Sequence, residues 1–414
     1  MLYKRLLMVL FMLVFVGVAT SGVVLAEEKE VKIALIYPVT GPLAHQSEVS
    51  IRGHQAAADL INSQGGIKSL GGAKIKYVLA DTQYKPDVLK SEVQRMVQLE
   101  NVAAILGAYD SGSTIMTSLE AKKYKVPMVS GVAAADVLTT KLGHPYFFRY
   151  GIKATWIARD MFNTYLEGLK KAGLDPKKYN KIALLYMDGK FGQAVAGGCK
   201  VWAPKKGLKI VADLPYPTKS TDLTGTLLKL RKAKPDAVFM ASTLNDAILA
   251  AKGIKQLNIN LLAVFGGGGG HTQGKYYMSA PEAAEYQTAF TYWNSDINSP
   301  KTQKIAAEYK KKFGKTMDGD AAMAYGSTIV LADAIERAGS TDRDKIREAL
   351  AATSISNEDP RLPTIFGCKF DASGQNELTE GVMIQNIGGK RYTVYPTKFG
   401  AHEFVFPMPE WDKR

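Results

Sequence analysis

Three short stretches carry the residues best suited to binding chemistry. Residues 109–114, YDSGST, follow an apolar run and precede a segment of helical period. A helix start exposes unpaired N–H groups and a partial positive charge, so Ser111, Ser113 and the amides around them suit a carboxylate. Ordinary serine capping would leave the same local signature. The second stretch, SGVAAAD at 130–136, also ends an apolar run, and its small side chains let a ligand approach the backbone closely. Two such strand ends together favour a cleft over capping alone, and they nominate Tyr109, Asp110, Ser111, Val132, Ala133 and Ala134 as ligand-binding. The third stretch, VFGGGGGH at 264–271, reads as a flexible lobe-closing loop that brings Gly268 and His271 to the same place. His45 and His271 are the two histidines near predicted cleft loops; each is suited either to bonding an anion or to an ordinary loop position.

Other chemistries fit less well. Residues 269–275 nearly satisfy the phosphate-loop spacing, but Tyr276 stands where that motif needs Ser or Thr, and YYMSAPEAAEY is a poor helix start. The sequence has neither a G-x-S-x-G elbow nor an H-E-x-x-H zinc helix, and its histidines, His45, His54, His144, His271 and His402, lack metal-ligand spacing. Asp188, after a strand, suits a ligand hydroxyl or a simple turn before Gly189. No enzymatic activity, cofactor or metal is expected. A hydrolase and a ligand-sensing ectodomain remain the alternatives from other classes; a chain ending at Arg414 without a further span suits a free carrier better than a sensor.

The elements that must position these residues come in two series. KIAL occurs at 32–35 and again at 181–184, and each copy opens an alternation of β-branched apolar runs with helical segments. Strands are expected at 32–37, 75–81, 102–108 and 127–130, then at 182–186, 210–214, 237–241 and 261–265. Helices in the second series fall near 192–204, 221–233 and 245–256. Each series forms its own doubly wound sheet, giving an α/β fold of two Rossmann-like lobes. Helical stretches at 299–313, 321–338 and 342–352 are too many for the second lobe, so the chain is expected to return to the first and come back through GVMIQNIGG. The lobes are then 27–150 with 292–380, and 151–291 with 381–414, joined by a three-strand hinge. Ligands of open α/β sheets bind outside the carboxyl ends of the strands, so the interlobe cleft is the expected site.

Residues 1–26 have a basic head at Lys4 and Arg5, an apolar run and small residues at the end, the pattern of a secretory signal peptide cut after Ala26. No cysteine follows the run, so no lipid anchor is expected. The formal charge of +14 falls to about +12 once Lys4 and Arg5 are removed. This favours small anions. The lysines are scattered, with no basic stripe interleaved with aromatics, so nucleic acid is not an expected partner. Cys199 and Cys368, placed in different lobes, are expected to be free thiols.

In order and spacing, the stretches TGPLAHQSEVSIRGHQAAADLINSQGGI, ILGAYDSGST, VPMVSGVAAADVLT, PYFFRYG and KIALLYMDGKFGQ resemble the substrate-binding proteins of branched-chain amino-acid ABC importers, the type I periplasmic binding proteins. The resemblance covers essentially the whole chain after residue 26. It implies a periplasmic, monomeric carrier that closes on one small ligand and delivers it to a membrane permease. It also implies that Ser111 and the amides of 132–134 hold a ligand carboxylate, although a hydroxyl residue common in the family is Ala134 here. The family's acidic partner for an α-ammonium falls at Gly268, and its pocket tyrosines fall at Gln46, Phe191 and Thr243. An unpaired ammonium in a closed cleft costs several kcal/mol. The expected ligand is therefore a carboxylate without an α-amino group, aromatic or short aliphatic, with an amino acid or small amide as alternatives.

Overall fold

The structure is a computed structural model that describes residues 29–218 and 220–414; the expected signal segment lies outside them. The first sheet contains β1 (Glu30–Tyr37), β2 (Lys74–Asp81), β3 (Ala104–Gly107), β4 (Met128–Ser130) and β5 (Phe147–Arg149). All pair in parallel, in the order β2-β1-β3-β4-β5. A parallel sheet is covered on both faces, which is why Ile33 to Tyr37 form an unbroken apolar run that is buried throughout. Helices α1 (Ala44–Ser63), α2 (Pro86–Gln98) and α3 (Ser111–Lys123) alternate with these strands. On α2 the buried residues are Leu89, Val93, Met96 and Val97, a single helical face.

After β5 the chain enters α4 (Ala154–Lys171) and builds a second sheet from β6 (Lys181–Met187), β7 (Lys209–Tyr216), β8 (Ala237–Ala241), β9 (Ala263–Gly266) and β10 (Thr288–Thr291). Between them lie α5 (Lys190–Trp202), α6 (Thr224–Ala233), α7 (Leu244–Gln256), and the short α8 (Gly274–Ser279) and α9 (Pro281–Ala284). Helices α10 (Pro300–Phe313), α11 (Gly319–Ala338) and α12 (Arg343–Ala351) follow. α11 packs on α1 so closely that a Cβ on Gly53 would lie 2.2 Å from the Ala321 carbonyl oxygen. The chain has therefore returned to the first sheet. A two-strand ladder, β11 (Ser354–Ile355) with β12 (Cys368–Lys369), precedes β13 (Val382–Ile387) and β14 (Lys390–Tyr395), an antiparallel pair that adds to β10. The second sheet runs β14-β13-β10-β9-β8-β6-β7.

The chain thus passes between the sheets three times, after β5, after β10 and before β13. The two-sheet α/β architecture agrees with the sequence expectation. β5, β10, β11, β12, β14, α4 and the short α9 are additional to it. Contrary to expectation, a helix, α8, starts at Gly274 directly after the glycine loop. Cys199 on α5 and Cys368 on β12 are buried free thiols, as expected. Among the described residues no helix is long and apolar enough to cross a membrane.

Candidate functional site

A cavity of about 250 Å³ opens between the carboxyl ends of the two sheets. Its first wall begins where β3 ends. Asp110 is the N-cap of α3, with its Oδ1 accepting from the Ser113 amide at 3.0 Å. Asp110 Oδ2 has no partner among the described residues, and burial raises this carboxyl above the usual range against the capping bonds that lower it. Ser111 is 1% exposed, and its Oγ accepts from the Ala135 amide at 3.2 Å. That bond occupies an Oγ lone pair and leaves the hydroxyl proton free to donate.

The neighbouring loop has an unusual balance of donors and acceptors. The Val132 carbonyl accepts from the Tyr292 hydroxyl at 2.8 Å, and the Ala134 carbonyl from the Ala154 amide at 2.8 Å. The Ala133 and Ala135 carbonyls both accept from Nη1 of Arg149, at 3.4 and 2.8 Å. Four consecutive carbonyls are therefore occupied, whereas the amides of Val132, Ala133 and Ala134 have no partner among the described residues. A row of free N–H groups beside a helix N-terminus is an anion cradle. Arg149 is fully buried, also bonds Gln375 Oε1 at 2.6 Å and Thr139 Oγ1 at 2.5 Å, and is in no ion pair among the described residues. Burial pulls its guanidinium down to about 10, which leaves it protonated at neutral pH, a positive charge directly behind the loop.

The second wall comes from the other sheet. Thr243, the N-cap of α7, donates its hydroxyl to Asp246 Oδ2 at 2.8 Å, and Phe191 projects from the start of α5. The glycine loop must pass beneath α7: a Cβ on Gly270 would lie 2.4 Å from the Thr243 carbonyl carbon. Gly268 has φ +94°, a left-handed conformation that penalises any side chain, so this backbone disfavours an acidic residue here as well as lacking one.

The cavity brings together Gln46, Tyr109, Asp110, Ser111, Val132, Ala133, Ala134, Phe191, Thr243 and Gly268. His271 does not line it. The 3₁₀ turn Gly269–Thr272 points its ring inward, beneath Gly266 and edge-on to Tyr276 with centroids 5.2 Å apart. Burial pulls that imidazole down to about 4, so it is neutral and cannot serve as a cationic anion binder at neutral pH. His45 lies in the outer groove continuous with the cavity, and Asp188 bonds Gln193 at 2.8 Å, away from the wall.

Sequence reasoning did not nominate Tyr84, Lys190, Gln273, Tyr292 or Asp320, all of which line the cavity. Asp320 changes the electrostatics most. It stands in the first turn of α11, where its Oδ2 accepts from the Tyr109 hydroxyl at 2.9 Å. Burial in the wall, reinforced by the adjacent Asp318, pushes its carboxyl up to about 7. The second-lobe loop carries no acid at Gly268, whereas the first lobe supplies two carboxylates to the lining, the nominated Asp110 and the un-nominated Asp320.

Comparison with known proteins places this geometry. Residues 30–385 match the periplasmic binding protein family, so the chain belongs to that family. A "Leu/Ile/Val-binding protein homolog 7" of Brucella suis is 30% identical over 391 residues, spanning 92% of this chain and 94% of its own. A leucine binding protein from Thermotoga maritima shares the fold with a TM-score of 0.76 at 22% identity, covering 88% of this chain and 97% of its own. A solute binding protein from R. palustris in complex with benzoate gives a TM-score of 0.74 at 20% identity, with 91% and 98% covered. The family is one of extracytoplasmic substrate-binding proteins of ABC transporters.

Proposed function

We propose that this protein is the periplasmic capture component of an ABC importer, exported by its N-terminal signal, and that its ligand is a small carboxylate. The cradle formed by Ser111 and the amides of Val132, Ala133 and Ala134, which are unpaired among the described residues, and backed by the charge of Arg149, carries this reading. Leucine and benzoate, named for two proteins of the same fold, have a carboxylate in common. The ligand's body rests on the apolar part of the cavity, beside Leu43, Val132, Met187 and Phe191. The first lobe, 27–150 with 292–380, receives the carboxylate; the second, 151–291 with 381–414, closes over it with Phe191, Thr243 and the glycine loop. Closure is driven only by contacts that the closed state makes and the open state lacks. The closed monomer then delivers its cargo to a membrane permease without chemical change.

The test is a thermal-shift screen of the processed protein against organic acids, amino acids and amides, followed by calorimetry on the hits. A ligand that binds only the folded state raises the midpoint by mass action. Stabilisation by carboxylates with stoichiometric heat and no turnover supports the proposal. Stabilisation by neutral amides alone, or conversion of an ester or amide, contradicts it.

A further inference from the structure

Asp320 is the cavity's unexplained group. The carboxylate cradle makes no use of it. Its Oδ2 takes the Tyr109 hydroxyl, and its Oδ1 has no partner among the described residues. It comes from α11, not from the strand-end loops, and it borders Tyr292 in the second crossover between the sheets. The rigid ring of Tyr109 separates it from the backbone that leads into α3.

Other wall groups also present acceptors without donors. Gln46 and Gln273 are each 4% exposed, line the cavity and have side-chain oxygens with no partner among the described residues. Asp110 differs: its orphan oxygen is sealed from solvent, and its other oxygen is committed to capping α3. Lys190, the cavity's cationic side chain, stands exposed on the opposite lobe and forms no ion pair among the described residues. Asp320 is therefore the carboxylate available to a ligand, and it is presented by α11, beyond the Tyr109 ring, rather than by the loop that carries the row of amides.

We propose that Asp320 is a specificity-determining residue that accepts a cationic nitrogen on the part of the ligand remote from its carboxylate, so that an ω-amino acid is preferred to the α-amino isomer and to the plain acid. This deepens the carboxylate reading above and rests on it. The carboxylate enters the amide cradle, the carbon body lies along the apolar wall, and the far nitrogen meets Asp320 with Gln46 or Gln273 as neutral acceptors. An α-ammonium, held one carbon from the carboxylate, stays beside the cradle, where the loop offers Gly268 and no acid.

Calorimetry at pH 8 on matched probes tests this: 4-aminobutanoate, 2-aminobutanoate and butanoate, with 4-(aminomethyl)benzoate and 4-methylbenzoate as an aromatic pair. The expected result is an advantage of tenfold or more for the ω-amino member of each set, removed by Asp320→Asn, with the plain acid bound at least as tightly by the variant as by the natural protein. Equal or tighter binding of the plain acid or the α-isomer by the natural protein overturns the proposal, with no variant required. So does an ω-amino advantage that survives Asp320→Asn or Asp320→Ala. If plain acids bind and the ω-amino acids do not, only this proposal fails. If no carboxylate of either kind binds, the reading of the cleft beneath it fails.

Discussion

Replacing Asp320 by Asn should change the pH dependence of stability in a defined direction. The Asp320 carboxyl, ordinarily near 3.8, stands at about 7 in the folded protein, through burial first and the charge of Asp318 second. A raised carboxyl means that between these two values the folded state binds more protons than the unfolded state, so stability falls as pH rises through that window. Below about pH 4 both states are protonated and the group costs nothing; above about pH 7 its full cost is present. Three units correspond to a ceiling of about 4 kcal/mol at roughly 1.4 kcal/mol each. Water in the open cleft screens part of this, which leaves about 1–3 kcal/mol. Asparagine keeps the shape and does not titrate. Relative to the natural protein, the ligand-free variant should therefore gain about 1–3 kcal/mol between pH 4.5 and pH 8, or several degrees in melting midpoint at roughly 2–4 °C per kcal/mol. Asp110, Asp160 and Asp246, also raised by burial, are present in both proteins and cancel in the difference. Scanning calorimetry of the two ligand-free proteins at four pH values gives the result directly. Melting curves that shift in parallel with pH would refute the reasoning.

Three further outcomes follow from the same geometry. Ser111→Ala removes the hydroxyl proposed to donate to the ligand carboxylate, so carboxylate affinity should fall by about 1–3 kcal/mol, roughly five- to 150-fold; an unchanged calorimetric Kd would remove Ser111 from the site. Arg149→Lys cannot serve Gln375, Thr139 and two loop carbonyls with one ammonium, so it should weaken carboxylate binding by about 1.5–3 kcal/mol and lower the melting midpoint; retention of both would show that the loop needs no guanidinium. Cys199 and Cys368 are buried with thiol pKa values raised by burial, so a thiol reagent should label neither in the native protein and both after unfolding without reductant; labelling that requires reductant would mean a disulfide.

What could be read in advance was what repeats or runs long. The twin KIAL strands, each followed by helices of clear period, determine the two sheets, because a fully buried parallel strand leaves a continuous apolar run. β5 and β10, of three and four residues, are too short to display a period. β14 was accessible: Gly388-Gly389 between the apolar VMIQNI and the β-branched and aromatic KRYTVY is a hairpin signal. The same is true of α4, whose Ile157, Met161, Phe162, Tyr165 and Leu169 form one buried face. At the site, strand-end hydroxyls and small residues mark the cradle locally. Asp320 and Tyr292 reach the cavity only because the chain crosses back between the lobes, and nothing within GDAAMAY or TYWNS reports that. His271 shows the converse. Its place beside the glycines suggests the cleft, but a single turn of 3₁₀ helix directs its ring into the core.

The most direct measurement is a crystal structure of the processed protein with the tightest carboxylate from the screen. The account predicts the two lobes closed on one molecule, its carboxylate oxygens within hydrogen-bond reach of Ser111 Oγ and the amides of Val132 to Ala134. A ligand seated elsewhere, or one held in the cleft with its carboxylate turned away from those amides, would contradict it.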